Sequence, residues 1–170
     1  MFSPLPLLRA LLALLCLGLP AMASELPAPT GPVLLTVTGN IAARNVGDTA
    51  QFDLAALESL PARSFTTATI WTEGEQRFTG VALRDLLDIL GAQGSRIRTI
   101  AINDYAVDIP ASDWDDSAPI IAYRNNGAPM SVRDKGPLWI VYPYSSDTAF
   151  QTEQIYSRSI WQLDRIDVID

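Results

Sequence analysis

The apolar residues of this chain follow short alternating runs and one clear helical repeat. Alternation predicts strands in the segments VLLTVTGNI, RIRTIAI and GPLWIVYP. The helical repeat lies in TGVALRDLLDILGAQG, where Val81, Leu83, Leu86, Leu87 and Leu90 share one face and the next glycine ends the helix. The whole pattern predicts about eight short strands and two helices separated by turns, which is typical of a mixed α+β domain.

Other segments complete this pattern. TAQFDLAALESLP predicts a strand residue followed by a short helix that begins at Asp53 and stops before Pro61. SFTTATIWTEG predicts a strand that runs into a turn at Gly74, and YAVDIPASDW predicts a short extended piece. APIIAYRNNGAPMSV predicts a hairpin, and IYSRSIWQLDRIDVI predicts a polar loop or short helix before a final strand.

The first 23 residues have the layout of a secretory signal peptide. Arg9 supplies the positive charge, Ala10 to Leu19 the apolar stretch, and Ala21-Met22-Ala23 an A-x-A cleavage site. The apolar stretch is shorter than the about 20 residues that a transmembrane anchor needs, so we expect no stable membrane insertion after cleavage. No arginine pair precedes it, which indicates export of an unfolded chain rather than twin-arginine export.

Cleavage after Ala23 would leave 170 − 23 = 147 residues, enough for one domain with a sizeable core. We therefore predict a periplasmic or secreted protein with a signal peptide at residues 1–23. A Pro-rich, flexible lead-in at residues 24–32 would precede a single domain at residues 33–170.

The composition excludes several kinds of chemistry. The one cysteine, Cys16, lies in the predicted signal, and the chain has no histidine. The exported part therefore offers no Cys or His nucleophile, no disulfide and no zinc site of the usual kind. The net charge is −7, with 19 acidic and 12 basic residues, and the basic residues are scattered. This balance is unfavourable for binding nucleic acid, so we expect no nucleic-acid partner.

The segments LTVTGNI, FDLAALESLP, FTGVALRDLLDILGA, YAVDIP, IIAYRNNGAPMSVRDKGPLWIVYP and IWQLDRIDVI, read in this order, resemble the molybdopterin-binding domain of the sulfite oxidase type. The resemblance runs from about Val33 to Asp170 and is to the short, exported, single-domain members of the family. It implies an α+β fold with a mixed β-sheet or barrel-like core and a few short helices. It also implies an oxidoreductase that carries molybdopterin.

The chain departs from the resemblance where the cofactor would be held. The family's metal is bound by a Cys thiolate, which the resemblance places on the strand around Ala68 to Trp71, but this stretch holds no cysteine. In RDKGPLW the family typically shows a His and an Arg that help to hold the pterin phosphate, whereas this chain has Lys135 and Trp139. Lys135 can meet a phosphate as a point charge, and Trp139 cannot replace an arginine fork.

The export signal agrees with these departures, because molybdopterin is inserted in the cytoplasm and a chain exported unfolded cannot carry it. We therefore expect no bound cofactor and no metal site, and molybdopterin is implied by the resemblance alone. We assign no catalytic residue from the sequence.

Three groups of residues are candidates for a ligand pocket. Asn103-Asp104-Tyr105 follows a predicted strand, where it forms either a polar ligand contact or a turn in which Asp104 bonds its own backbone. Arg133 and Lys135, with the backbone of Gly136, form either an anion-binding rim or a surface turn in which Arg133 pairs with Asp134.

The third group is aromatic. Trp71 falls on the segment that would carry the metal ligand, so it either lines the cavity left by the cofactor or fills it. Trp161 has the same two interpretations, and Trp139 is expected in the core because its neighbours are apolar.

Two functions remain open. The first is an exported molybdopterin-binding-type domain that lacks the thiolate ligand and acts as a non-redox binding or accessory module. Its partner would be a small anion or a periplasmic or membrane protein. The alternative is a molybdopterin-dependent oxidoreductase with an oxygen ligand such as Thr67, Thr69 or Thr72.

Overall fold

The computed structural model describes residues 26–114 and 118–170, so the predicted signal peptide lies outside the described residues. The strands are β1 Leu35–Gly39, β2 Ala50–Phe52, β3 Ala62–Ala68, β4 Glu75–Ala82, β5 Arg96–Ala101, β6 Ala106–Pro110, β7 Ile120–Asn125, β8 Ala128–Pro129, β9 Trp139–Val141 and β10 Leu163–Ile169. The helices are α1 Leu54–Glu58, α2 Leu83–Ile89 and α3 Glu153–Arg158. In this part of the chain, no helix combines the length and apolar character needed to cross a membrane.

The strands form two five-stranded sheets. The first has the order β2-β1-β10-β5-β6, and β1 runs parallel to β10 while the other neighbours are antiparallel. The final strand therefore lies between the first strand and β5, which brings both ends of the domain into one sheet. The second sheet has the order β3-β4-β7-β8. Strand β8 pairs with the end of β7, at Arg124 and Asn125, and β9 pairs with its start, at residues 120–122.

The sheets share one hydrophobic core. The apolar positions of the alternating strands, such as Leu35 and Val37 in β1 and Leu163, Ile166 and Val168 in β10, are buried. Both sheets keep edge strands, so the described residues form open sheets rather than the closed barrel that a barrel-like core would require. The α+β class with few short helices is confirmed.

The main helix is shorter than its sequence pattern predicts. Val81 and Ala82 belong to β4 and pair with Ile121 and Ile120, so α2 begins only at Leu83. The apolar pattern continues across the junction because the end of β4 and the inner face of α2 are both buried. The predicted face is otherwise correct, since Leu83, Leu86, Leu87 and Leu90 are all buried.

Asp53 ties the lead-in to the first helix. Its Oδ1 accepts the amide hydrogen of Ala56 at 2.8 Å and caps α1, as the sequence predicts. Its Oδ2 accepts the amide hydrogens of Thr30 at 2.8 Å and Gly31 at 2.7 Å. The bond from Ala56 and then the bond from Gly31 are the main reasons that the pKa of Asp53 lies below its ordinary value of 3.8.

We expect Asp53→Asn to unfold at a lower urea concentration than the wild type at about pH 7, with the difference shrinking toward about pH 3. A carboxyl whose pKa is lowered by folding stabilises the protein above its unfolded pKa, and this stability is lost as the pH falls through the folded pKa. Asp48→Asn, a change at an exposed turn, serves as the control. An equal deficit at both pH values would contradict this role for the Asp53 charge.

Candidate functional site

Two neighbouring cavities share the side chains of Trp71 and Trp161. The first, which we name the aromatic cleft, has a volume of about 360 Å³. It is lined by Trp71, Ala101, Asn103, Tyr105, Tyr156, Ser157, Ser159, Ile160 and Trp161. The second, which we name the cationic pocket, has a volume of about 280 Å³ and is lined by Trp71, Val132, Arg133, Lys135, Trp161 and Gln162. The two tryptophans therefore form a wall common to both cavities.

Trp71 lies in the loop between β3 and β4, not on the strand that the sequence predicts. The strand ends at Ala68, which pairs with Glu75, so residues 69–74 form the connection. The Trp71 ring makes edge contacts with four aromatic rings. The centroid distances are 5.7 Å to Trp139, 6.2 Å to Tyr144, 5.7 Å to Tyr156 and 5.5 Å to Trp161. Such contacts fix the ring by packing on several sides.

The other two tryptophans of this cluster differ in exposure. Trp139 is 1% exposed and lines neither cavity, which confirms its predicted place in the core. Its Nε1 donates a hydrogen bond to the Ser159 carbonyl at 3.2 Å. Trp161 is 38% exposed and lies at the mouth of both cavities. The cluster thus extends from the core to the surface.

The segment Asn103-Asp104-Tyr105 is a turn and also part of the cleft wall. Asn103, rather than Asp104, makes the side-chain bond, because its Oδ1 accepts the Tyr105 amide hydrogen at 3.2 Å. Asp104 has a left-handed backbone (φ 65°), forms an ion pair with Arg165 and lines neither cavity. Asn103 and Tyr105 line the aromatic cleft, and their role in binding stays a prediction.

In the described part of the chain, the aromatic cleft has three free polar side-chain groups, one amide donor and two hydroxyls that can both donate and accept. The side-chain amide nitrogen of Asn103 and the hydroxyls of Tyr105 and Tyr156 make no hydrogen bond to any described residue. Ser159 is already occupied, since it donates to the Ile155 carbonyl at 2.8 Å and accepts from the Tyr144 hydroxyl at 2.6 Å. Burial raises the pKa of Tyr144 to about 12, so this hydroxyl stays protonated as the donor.

Lys135 and Arg133 supply the charge of the cationic pocket. Lys135 has a left-handed backbone (φ 70°), and its Nζ lies 5.8 Å from the ring centroid of Trp139 and 5.9 Å from that of Trp161. No carboxylate of the described residues lies within 4.0 Å of either cation. The alternative pair Arg133–Asp134 is not formed, and the Asp134 carboxylate accepts from the Ser131 hydroxyl at 2.7 Å. An exposed guanidinium and a lysine over two rings therefore share one pocket.

Gly136 supports this turn and lines neither cavity. Its amide nitrogen donates to the Ser131 carbonyl at 2.7 Å, so this N–H is not available to a ligand. A Cβ at this position would lie 2.0 Å from the Met130 carbonyl oxygen, which explains why the turn needs a glycine. Two bonds from Gln162, to the Lys135 carbonyl and the Val132 carbonyl, join the turn to the start of β10.

The oxygen donors near Trp71 do not fit a molybdenum centre. Thr67 is fully buried, donates to the Ser145 hydroxyl and accepts the Ser145 amide hydrogen at 2.9 Å. Thr69 and Thr72 bond each other at 2.8 Å, and Thr69 also accepts the Trp71 amide hydrogen. These neutral hydroxyls offer no counterpart to a strongly donating thiolate. Within residues 26–114 and 118–170, no three His, Cys, Asp or Glu side chains are grouped to hold a metal ion.

Sequence reasoning did not place α3 at the cleft. Tyr156, Ser157 and Ser159 line it, although their segment reads only as a polar loop or short helix. The signal that was available is Thr152, whose Oγ1 accepts the Ile155 amide hydrogen and caps the helix. The position of the helix depends on the return of β10 into the first sheet, which no local pattern records.

A solved structure resembles this fold. The crystal structure of the sulfane dehydrogenase SoxCD from Paracoccus pantotrophus aligns with a TM-score of 0.60 and 17% sequence identity over 80% of this chain. The alignment spans 38% of the SoxCD chain. No family model matches the sequence, and no curated protein matches it. The likeness confirms for this chain the α+β fold of the sulfite oxidase type.

Proposed function

We propose that this chain is an exported, non-redox binding module that holds a planar, anionic small molecule at the wall formed by Trp71 and Trp161. One observation carries the proposal. These two indoles line both an aromatic cleft with neutral donors and a pocket with two unpaired cations, and no described carboxylate lines either cavity. A ring system would occupy the first cavity while its acidic group reaches the second.

The aromatic cleft suits a ring with hydrogen-bond acceptors on its edge. Its volume of about 360 Å³ lies in the lower part of the about 300–1,000 Å³ range of small-molecule sites. Rings pack favourably on Trp and Tyr side chains, and the free groups of Asn103, Tyr105 and Tyr156 can donate to acceptors. The cleft therefore favours an acceptor-rich heterocycle over an aliphatic ligand.

The charge of the ligand follows from Lys135. Clusters of aromatic rings often bind ammonium ligands through cation–π contacts. Here Lys135 places its own ammonium over the rings of Trp139 and Trp161, and Arg133 lines the same pocket. A cationic ligand would be repelled, whereas a carboxylate or phosphate would gain charge-assisted hydrogen bonds.

The non-redox role rests on the donor set described above. After the predicted signal peptide the sequence has no cysteine to supply a thiolate for molybdenum, and the nearby threonine hydroxyls are engaged with each other and with Ser145. The expected export of an unfolded chain, with cleavage after Ala23, supports the same role. A molybdopterin-dependent oxidoreductase with a threonine ligand remains the competing proposal.

The rim of the two cavities also suits a protein partner. The exposed apolar side chains Tyr105, Val132 and Trp161 line the cavities, and the exposed Ile70 and Ile102 directly precede the lining residues Trp71 and Asn103 in the chain. Exposed apolar groups gathered in one place are typical of interaction sites. We propose that a periplasmic or membrane protein covers the cleft after the ligand has bound.

Fluorescence titration with two pterin compounds, one with and one without an acidic group, tests the ligand class. Pterin-6-carboxylate is the first probe, because the resemblance implies a pterin and this compound carries a carboxylate; unsubstituted pterin lacks the acid. We expect the acid to bind at least about tenfold more tightly, as one charge-assisted contact predicts. Equal binding of the two rings, or no binding of the acid at millimolar concentration, would refute the proposed ligand class.

We expect Lys135→Met and Arg133→Gln each to weaken binding of pterin-6-carboxylate about tenfold, with a smaller salt dependence than the wild type. Each variant removes one cation beside the acid of the ligand and leaves the aromatic cleft intact. Arg77→Gln is the matched control, since Arg77 is exposed and lines neither cavity. Unchanged affinity in both variants would place the acid elsewhere.

A further inference from the structure

The aromatic cleft has two walls that come from distant parts of the chain. One wall is the turn of Asn103 and Tyr105, which leads into β6. The other is the end of α3 and the residues after it, with Tyr156 and Ser157. Beyond the cleft, β6 runs into a 3-10 turn at Ala111–Asp113, and α3 ends at Arg158. Asp113 and Arg158 form an ion pair that connects the segment after β6 to the end of α3.

The contact between Asp113 and Arg158 is the least exposed ion pair among the described residues. The Arg158 Nη1 donates to both carboxylate oxygens of Asp113, at 2.9 Å and 3.0 Å, and the side chains are 14% and 9% exposed. The hydroxyl of the buried Tyr142 also donates to Asp113 at 3.1 Å. Burial, and then the Asp113 charge, raise the pKa of Tyr142, so it stays a donor.

Helix α3 is held in place by tertiary contacts, among them the packing of the Tyr156 ring against Trp71 and Tyr144. It has six residues, none of them fully buried, and Ile155 and Tyr156 pack only in part against the core. So short a helix is unstable by itself and depends on tertiary contacts. Removing one partner of a buried ion pair leaves the other charge uncompensated, which is a strong penalty. The Asp113–Arg158 contact is therefore a charged restraint at the end of α3, and it acts beside the hydrogen bonds that Ser159 makes with Trp139 and Tyr144.

We propose that the Asp113–Arg158 ion pair sets the distance between the two walls of the aromatic cleft and so controls how fast a bound ligand leaves. Both are positioning residues, because neither lines the cleft. The effect on wall distance stands by itself, and the effect on ligand release rests on the proposed function.

The distance between the walls can be measured without any ligand. In a Cys16→Ser background the chain has no thiol, so spin labels at Ile102→Cys and Gln154→Cys are the only ones present. Both positions are exposed, one beside the Asn103 turn and one on α3. We expect a broader and longer distance distribution in Arg158→Gln than in the parent, and a distribution close to the parent in Arg158→Lys.

An unchanged distribution in a folded Arg158→Gln variant would overturn the proposal. If Arg158→Gln does not fold, Asp113→Asn gives the same measurement, because it removes the charge and keeps the side-chain shape. Arg124→Gln is the matched control: it breaks the half-exposed pair with Glu58, which lies outside the cleft, and is expected to leave the distribution unchanged.

Stopped-flow fluorescence with pterin-6-carboxylate tests the second part. We expect Arg158→Gln to raise the dissociation rate about tenfold with a smaller change in the association rate, and Arg158→Lys to restore most of the wild-type rate. Equal dissociation rates in wild type and Arg158→Gln would overturn the link to ligand release. If the spin-label distances broaden in Arg158→Gln but the wild type does not bind pterin-6-carboxylate, the proposed function is refuted and the structural role of the ion pair is retained.

Discussion

Trp71→Ala is expected to weaken binding of pterin-6-carboxylate at least about 100-fold and to lower the free energy of unfolding by about 2–3 kcal/mol. Trp71 lines both cavities and contacts four aromatic rings, so its loss removes the common wall and leaves a void beside Trp139 and Tyr156. The stability loss is smaller than the about 3–5 kcal/mol of a fully buried tryptophan, because Trp71 is only partly buried. Urea unfolding and ligand titration measure the two effects.

Two further variants separate binding from stability. Phe65→Ala truncates another partly buried aromatic residue, on β3 and outside both cavities, and should lower stability while affinity is retained. Trp71→Phe keeps a ring at the wall and should bind with intermediate affinity. Wild-type affinity in a folded Trp71→Ala protein would contradict the site.

Gly136→Ala is expected to cost about 3 kcal/mol of stability and to reduce ligand affinity together with it. The added methyl carbon would lie 2.0 Å from the Met130 carbonyl oxygen, and a backbone atom cannot yield as a flexible side chain can. The turn must therefore shift. Lys135, which directly precedes Gly136, must then move from its place over the two indoles. Thermal unfolding and titration with the carboxylated pterin measure both losses.

Gly31→Ala is the control for a glycine substitution without a clash. The nearest atom to a Cβ at Gly31 is the Asp53 Oδ2 at 3.4 Å, an ordinary contact, so stability should change little. A Gly136→Ala protein with wild-type stability and affinity would show that the close approach to Met130 does not fix the Lys135 turn.

Local sequence patterns predict most of the helices and strands, because the formation of these elements depends largely on residues that are neighbours in the chain. The alternation of β1 and β10, the Asp53 cap of α1 and the buried face of α2 all follow from side-chain spacing. The errors occur at the ends of elements, which strand pairing decides and local patterns do not record. The β-forming residues after Ala68 continue through Trp71, but the pairing of Ala68 with Glu75 requires a connecting loop there.

The candidate site could be predicted only in part for a similar reason. Arg133 and Lys135 are close in sequence and lie in one pocket, and Asn103 and Tyr105 lie in one turn. The meeting of both groups at Trp71 and Trp161 depends on long-range packing. The Asp113–Arg158 pair joins residues 45 positions apart, so no spacing rule identifies it.

Native mass spectrometry with molybdenum quantification, applied to the protein purified from the envelope of its own host, tests the central claim most directly. The proposed binding module should appear as the bare chain or as the chain plus a small organic anion, without stoichiometric molybdenum. Stoichiometric molybdenum that remains bound to the folded chain would contradict this account and establish the competing oxidoreductase.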